Sequence, residues 1–352
     1  LQYLIETIQI IFNFLIKFLG LHHLHGMILV VGSCWFLTSA LLSTWANTTF
    51  LKTFQDPLLH TFIRFLGSAI LGVLYLLLTG EVKIKEISSV VKNVTIPAIL
   101  LWVANYSNSI SLKMAGITLT YVVKACIPVF TVMICTLGGQ KFPIMIYLSL
   151  IPICLGVALA SGSDLDFTVY GLVAAFVSAI AQTLMNISIK SVRGKIGYSG
   201  LKAFMGMTIV CTVMTALVIL ADLVQLNFNQ STSVLVQPKS IQIMQSVFND
   251  AGAGSFWPVQ LVLLSALAYH LEYMLNFMFV GYVNSVMFSV SDIVRRISII
   301  LVGAVVFNKV LTGTNWAGIG VALGGVLWYS YLDSQYSATV QKVNDKDHTK
   351  KE

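Results

Sequence analysis

Arg295 and Arg296 stand side by side in a stretch that is otherwise nearly apolar, Val290 to Ile300, with Asp292 three and four residues before them. A charge at a bilayer centre costs roughly 2.5 to 3.5 kcal/mol on insertion scales, so such residues face a polar cavity and do chemical work there. Two adjacent guanidiniums suit a phosphate or carboxylate held by several donors at once. Along this helix Ser285, Ser289, Asp292 and Arg296 share one face, with Asn284, Ser291, Arg295 and Ser298 on the adjoining strip. Asp292 can pair with Arg296 at i+4 or Arg295 at i+3, which neutralises one arginine and leaves the other for a ligand. The plainer reading is a structural Asp–Arg pair with a spare arginine.

Other polar groups lie equally deep in apolar sequence. Lys124 is too far from the start of its span to reach an interface easily, and no carboxylate shares that span. Thr120, Tyr121 and Thr131 lie on its face. Tyr269, Glu272, Tyr273 and Asn276 form another polar face, suited to orienting a polar ligand. Glu272 reads equally as a ligand, a proton site, or a counter-ion to Lys124 or the arginines. Asn105, Asn108 and Ser109 cluster on a further segment, and Gln182, Asn186 and Lys190 recur at helical spacing on another. Such stripes also serve as interhelical glue. Arg64, with His60 and Ser68 on its face, reads as a snorkelling or gate residue rather than a ligand.

The elements that must position these groups follow from composition. The chain has 352 residues, 57% hydrophobic and 10% charged, with a mean hydropathy of +0.85. A soluble domain carries about 25% charged residues, so this is a helical membrane protein. About ten runs reach the length a bilayer requires, near 26–46, 57–79, 93–112, 115–138, 142–161, 168–190, 199–225, 254–281, 283–307 and 313–333. Residues 1–25 read as an amphipathic segment or leader remnant. The Gln-, Ser- and Asn-rich stretch 226–253 reads as a flexible linker, and 334–352 as a charged flexible tail.

The net charge of +7 speaks to topology, not to nucleic acid. Lys83, Lys85, Lys92, Lys141, Arg193, Lys195 and Lys202 fall after even-numbered spans. The tail adds Lys342, Lys346, Lys350 and Lys351. Asp56, Asp164, Asp166 and Asp250 fall in the alternate loops, with Lys52 running against the trend. Both termini then lie on the positive, cytosol-like side. Gly156-Val157-Ala158-Leu159-Ala160 is echoed by Gly320-Val321-Ala322-Leu323-Gly324. That echo suggests two inverted five-helix halves, 26–161 and 162–333, with a binding site at their interface.

Catalytic and metal signatures are missing from the sequence: no Gly-rich phosphate loop, no His-Glu-x-x-His, no nucleophile elbow. The expectation is a non-enzyme with no cofactor and no metal site. Cys34, Cys126, Cys135, Cys154 and Cys211 have no metal or redox spacing and read as packing residues. Of the sequons at Asn47, Asn93, Asn105 and Asn229, only Asn229 falls in a roomy loop.

Three stretches carry a resemblance to the triose-phosphate and sugar-phosphate/phosphate translocators of the drug/metabolite transporter superfamily. Ser109–Lys113 leading to Tyr121-Val122-Val123-Lys124-Ala125-Cys126-Ile127-Pro128 looks like the family's fourth-span lysine motif. Gln182–Lys190 is similar to its sixth-span motif. Tyr269–Tyr273 through Ser289–Arg296 resembles its eighth- and ninth-span signature. The likeness covers about residues 26–333.

The resemblance implies ten helices and antiport of a phosphorylated three-carbon or sugar compound against inorganic phosphate in a plastid-type envelope. Phosphorylated ligand, phosphate and lipid bilayer are then the partners, with the oligomeric state left open. It implies Lys124 and Arg295–Arg296 on the phosphate, polar neighbours at Asn105 and Asn108, and a tyrosine from the eighth span. The chain departs from the family in having Arg-Arg for Lys-Arg, Glu272 at the tyrosine position with Tyr269 or Tyr273 beside it, and Asp292 for a neutral residue. It also lacks Ser-Pro at Asn284-Ser285 and a clear first-span lysine. Two rivals stand beside this reading: a nucleotide-sugar carrier of the Golgi or endoplasmic reticulum, and a non-transporting membrane scaffold.

Overall fold

The computed structural model describes residues 26–80, 84–162, 168–228, 239–252, 256–282, 285–306 and 312–349. Residues 1–25, Lys83, Asp164, Asp166, Asn229, Asn284, Lys350 and Lys351 lie outside them. The described residues are helical, without a strand among them. The elements are α1 (Gly26–Leu37), a π-helical segment (Thr38–Ser43), α2 (Thr44–Phe54), α3 (Pro57–Leu78), α4 (Ile84–Asn93), α5 (Thr95–Met114), α6 (Gly116–Lys124) and α7 (Ile127–Leu137). They continue with α8 (Ile144–Gly162), α9 (Val169–Ile196), α10 (Gly200–Phe228), α11 (Lys239–Gly252), α12 (Trp257–Tyr282), α13 (Ser285–Val306) and α14 (Gly313–Thr349).

Local sequence sets several of these boundaries. Asp56 caps α3, accepting from the amides of Leu58 at 2.9 Å and Leu59 at 3.0 Å, with Pro57 in the first turn. Thr168 caps α9 by accepting from Gly171 N at 3.1 Å. Gly197, at φ +74°, ends α9 in the left-handed conformation that glycine tolerates best.

Five described helices are long and apolar enough to cross a bilayer, or six when α4 and α5, bent by 68°, are taken together. The outer surface agrees with that setting. Ile70, Leu74, Leu217, Leu220 and Leu263 all point outward, more than half exposed, as lipid-facing side chains do.

Helices far apart in sequence pack side by side: α8 on α14, α9 on α5, α10 on α3, α12 on α3 and on α1, and α13 on α6. The α8–α14 seam is made by small residues. A Cβ on Gly156 would lie 2.2 Å from Ala322 N and 2.6 Å from Gly318 O, so only glycine lets these backbones approach. The two echoing segments therefore meet each other in space.

Contacts between helix ends sort into two sets. At one end Lys113 Nζ donates to Gln55 O (2.7 Å), Thr168 Oγ1 to Met114 O (3.3 Å) and Ser240 Oγ to Asp56 Oδ2 (2.7 Å). At the other, Asn93 Nδ2 donates to Tyr198 OH (3.0 Å), Lys202 pairs with Glu86 (2.9 Å), and Tyr336 OH donates to Lys141 O (2.9 Å).

Two expectations about the polar segments are corrected. Part of the linker 226–253 is helix α11, an amphipathic segment held to the α2–α3 corner through Ser240. The charged tail continues α14 as far as Thr349, because extending a formed helix needs no new nucleus. Two spans are also less regular than their apolar runs suggest. The first contains the π segment, and the fourth breaks between Lys124 and Ile127.

Candidate functional site

The helix breaks and the deep charges coincide at one cavity of about 740 Å³. Lys124, Tyr121, Asn105, Asn108, Glu272, Tyr273, Asp292, Arg295 and Arg296 all line it, and so do Gln182, Asn186 and Lys190. It extends to the α9–α10 turn, where Arg193, Gly197 and Tyr198 form its wall.

Asp292 sits between the two arginines. Arg295 Nη2 and Nε donate to its Oδ1 at 2.6 and 3.0 Å, and Arg296 Nη2 and Nε approach its Oδ2 at 2.8 and 2.9 Å. The spacing i, i+3, i+4 on one helix makes this possible. Arg295 has a second carboxylate, Glu272, 3.1 Å from its Nη1. The expectation that Asp292 would hold one arginine and leave the other free is thereby corrected: both guanidiniums are held by carboxylates.

Glu272 is bound from the first span as well. Ser39 Oγ donates to its Oε1 at 2.9 Å and Ser43 Oγ to its Oε2 at 2.5 Å. Both serines belong to the π segment, a helical irregularity often found at functional sites. Arg295 Nη1 also donates to Ser39 Oγ at 2.8 Å, and its guanidinium lies 5.3 Å over the ring of Trp35. Of the three sequence readings of Glu272, the geometry gives it the part of counter-ion to Arg295.

Lys124 comes from the opposite side. No carboxylate of the described residues lies within ion-pair distance of its Nζ, which sits 5.7 Å from the Tyr121 ring centroid. Arg296 Nη1 donates to the Lys124 carbonyl at 3.1 Å. A smaller adjoining cavity of about 220 Å³ also touches Lys124, Thr131, Asn186 and Arg296.

Several sequence candidates lie elsewhere. Thr120 is fully buried behind the cavity wall, bonded to Ser111 Oγ at 2.7 Å and Gly116 O at 2.6 Å. Tyr269 is also fully buried, packed among Phe65, Phe204 and Tyr273. Ser109 is interhelical glue, 3.0 Å from His60 Nδ1.

Arg64 is the largest departure. It is 5% exposed and lines the cavity, with its guanidinium 4.2 Å over the Tyr269 ring. That position excludes snorkelling to an interface. Sequence reasoning also passed over Trp35, Ser39, Ser43 and Asn47. The signal existed: Ser39, Ser43 and Asn47 recur every fourth residue in the first span. Asn47 and Asn105 are buried sequon residues. Among the described residues no cluster of His, Cys, Asp and Glu could hold a metal.

Apolar helices around a cavity lined by several cationic side chains define a helical membrane protein with a charged interior cavity. Residues 27–330 match the model of the Triose-phosphate Transporter family, and the chain belongs to that family. It is 27% identical over 232 residues to glucose-6-phosphate/phosphate translocator 2, chloroplastic, of Arabidopsis thaliana, covering 65% of this chain and 55% of the relative. It is 25% identical over 300 residues to phosphoenolpyruvate/phosphate translocator 1, chloroplastic, of Oryza sativa subsp. japonica, covering 85% and 70%. The xylulose 5-phosphate/phosphate translocator, chloroplastic, of Arabidopsis thaliana is 26% identical over 307 residues, covering 86% and 69%. The chain thus spans between 55% and 70% of these relatives' lengths.

Proposed function

We propose that this chain is a secondary antiporter that exchanges phosphorylated three-carbon or sugar compounds for inorganic phosphate. One observation carries the reading. Lys124, from the first half of the chain, and Arg295–Arg296, from the second, line a single cavity. A phosphate between them receives charge-assisted hydrogen bonds from both sides. The relatives' names, all phosphate translocators, support the same exchange.

The architecture proposed is ten crossings in two inverted halves, 26–161 and 162–333. The helix packing supports it. With α1–α2 as the first crossing, α6–α7 as the fourth and α14 as the tenth, the third packs on the sixth and the eighth on the first. The second packs on the seventh, the fourth on the ninth and the fifth on the tenth. Adding five to every number returns the same pairs, as an exchange of two equivalent halves requires. The two sets of end contacts support the alternation of crossings. Rocking of one half on the other then exposes the cavity to either side.

Exchange follows from charge. Six cations and two carboxylates line the cavity. Enclosing it empty would strand Lys124 in low dielectric without a counter-ion, whereas an anion neutralises it and permits closure. The envelope of a plastid-type organelle is the proposed location, by analogy with the relatives.

Counter-exchange in proteoliposomes tests the function. Labelled phosphate enters phosphate-loaded vesicles and fails to enter empty ones, and Lys124→Ala abolishes the loaded signal. Equal uptake by loaded and empty vesicles would sink the exchange reading. Near-normal exchange in Lys124→Ala would remove that residue from the site.

A further inference from the structure

Arg64 is a further cavity cation with no carboxylate within ion-pair distance among the described residues, as Lys190 and Arg193 are at the α9 end. The residue is only 5% exposed, with Asn105 of α5 and Tyr269 of α12 at its guanidinium. Among the described residues Nε and Nη1 have no hydrogen-bond partner, and Nη2 reaches only Asn105 Oδ1, at a long 3.4 Å. The ring of Tyr269 backs the guanidinium on one face. A stacked ring offsets only a small part of the lost hydration. A buried charge deprived of water is costly unless it is paired and hydrogen-bonded.

The charges around it indicate which anion suits it. Elsewhere in the cavity three cationic side chains converge: Lys124, Arg295 and Arg296. That concentration matches a phosphomonoester dianion, which needs donors from several directions. Arg64 stands with neutral amides, Asn105 and Asn108, both lining the same cavity. One planar guanidinium with amide neighbours matches a singly charged, planar, two-oxygen anion.

We propose that Arg64 is a second anion-binding point of the cavity, taking the carboxylate of a substrate whose phosphate lies at Lys124 and the arginine pair. The preferred organic substrate is then a phosphorylated carboxylic acid, and phosphorylated compounds with a neutral remainder are poorer. This rests on the exchange function proposed above and narrows its substrate class.

Two ligands that differ only at that group make the test: 3-phosphoglycerate, and glycerol 3-phosphate, which has a hydroxymethyl in place of the carboxylate. In phosphate-loaded proteoliposomes the wild type uses the acid with kcat/KM about 10- to 100-fold above the alcohol, the range of one hydrogen-bonded charge. Arg64→Gln collapses that ratio towards one, and Arg64→Lys keeps part of it. A wild-type ratio near one overturns the proposal. So does a parallel loss of both activities in Arg64→Gln with the ratio intact, which is the behaviour of a purely structural arginine. Thermal unfolding of the purified wild type covers the case in which the variants do not fold. The acid then raises Tm more than the alcohol at equal concentration, and equal shifts overturn the carboxylate assignment. Absence of phosphate-for-phosphate exchange in wild-type vesicles would count against the exchange function alone, because the Tm comparison still reads the subsite.

Discussion

Arg296 donates through Nη1 to the backbone carbonyl of Lys124 at 3.1 Å, and a proline makes that carbonyl available. In a continuous helix the carbonyl of residue 124 would accept from the amide of residue 128. Pro128 has no N–H to offer. The helix breaks between Lys124 and Ile127, and the orphaned acceptor must find another donor. An arginine from the other half of the chain supplies it. One proline thus sets the position of the lysine and ties it to the pair across the cavity.

Pro128→Ala restores the missing donor. The break then closes toward a regular helix, and Arg296 loses its acceptor. Phosphate exchange is expected to fall at least about tenfold, since displacements near 1 Å in a fitted site have effects of that size or more. The protein remains folded, because the substitution adds a helical hydrogen bond. Exchange at the wild-type rate would show that the Lys124–Arg296 contact is incidental.

Asp292→Asn removes the charge shared by both guanidiniums. Glu272 still holds Arg295, but Arg296 keeps only a neutral amide and the Lys124 carbonyl. Breaking a buried pair by removing one partner costs roughly 2 to 5 kcal/mol. Thermal unfolding of the variant in phosphate-free buffer should start well below the wild type. Saturating phosphate should recover more of the difference than it adds to the wild type, because the anion replaces the lost counter-charge. Identical phosphate-induced shifts in the two proteins would contradict the proposed place of the phosphate.

The α8–α14 seam gives a paired test. Gly156→Val drives a side chain into the backbone at Ala322 and Gly318, whereas a Cβ at Gly320 meets nothing within 4 Å. The first change is expected to destabilise by roughly 1 to 3 kcal/mol or more. Gly320→Ala is expected to be neutral or slightly stabilising, since alanine favours the helix. Equal Tm values for the two variants would mean the close approach is not needed.

The sequence shows the membrane class and the deep charges plainly, because each leaves a local mark. Apolar runs reveal helices, and Arg295–Arg296 stand out within one. What it hides is pairing at a distance. Nothing near Glu272 announces that Ser39 and Ser43 reach it across more than two hundred residues. Nothing near Arg64 shows that it turns inward, since seven residues from a helix start is equally a place from which arginine reaches an interface. The break at Pro128 was legible as a proline in a helix. Its consequence for Arg296 was not, because it depends on which helix lies opposite. Thr120 shares a face with Lys124, yet it bonds its own backbone and Ser111. Periodicity places a residue on a face without saying what that face meets.

Topology can be read from two surface positions. Lys141 lies at the end marked by the Tyr336 contact, the same end as the basic segment containing Glu86, Lys202 and Tyr198. Gln245 lies on α11, which Ser240 holds to Asp56 at the other end. Both residues are exposed. Ten crossings require these ends to lie on opposite sides of the bilayer, and the excess of lysine and arginine puts Lys141 on the cytosol-like side. Lys141→Cys and Gln245→Cys, each in a background whose native cysteines are serine, should react with a membrane-impermeant thiol reagent from opposite faces of sealed vesicles. Reaction of both from one face would mean an even number of crossings between them. The two halves would then no longer be inverted copies, and the shared cavity would have to open by some motion other than rocking about their interface.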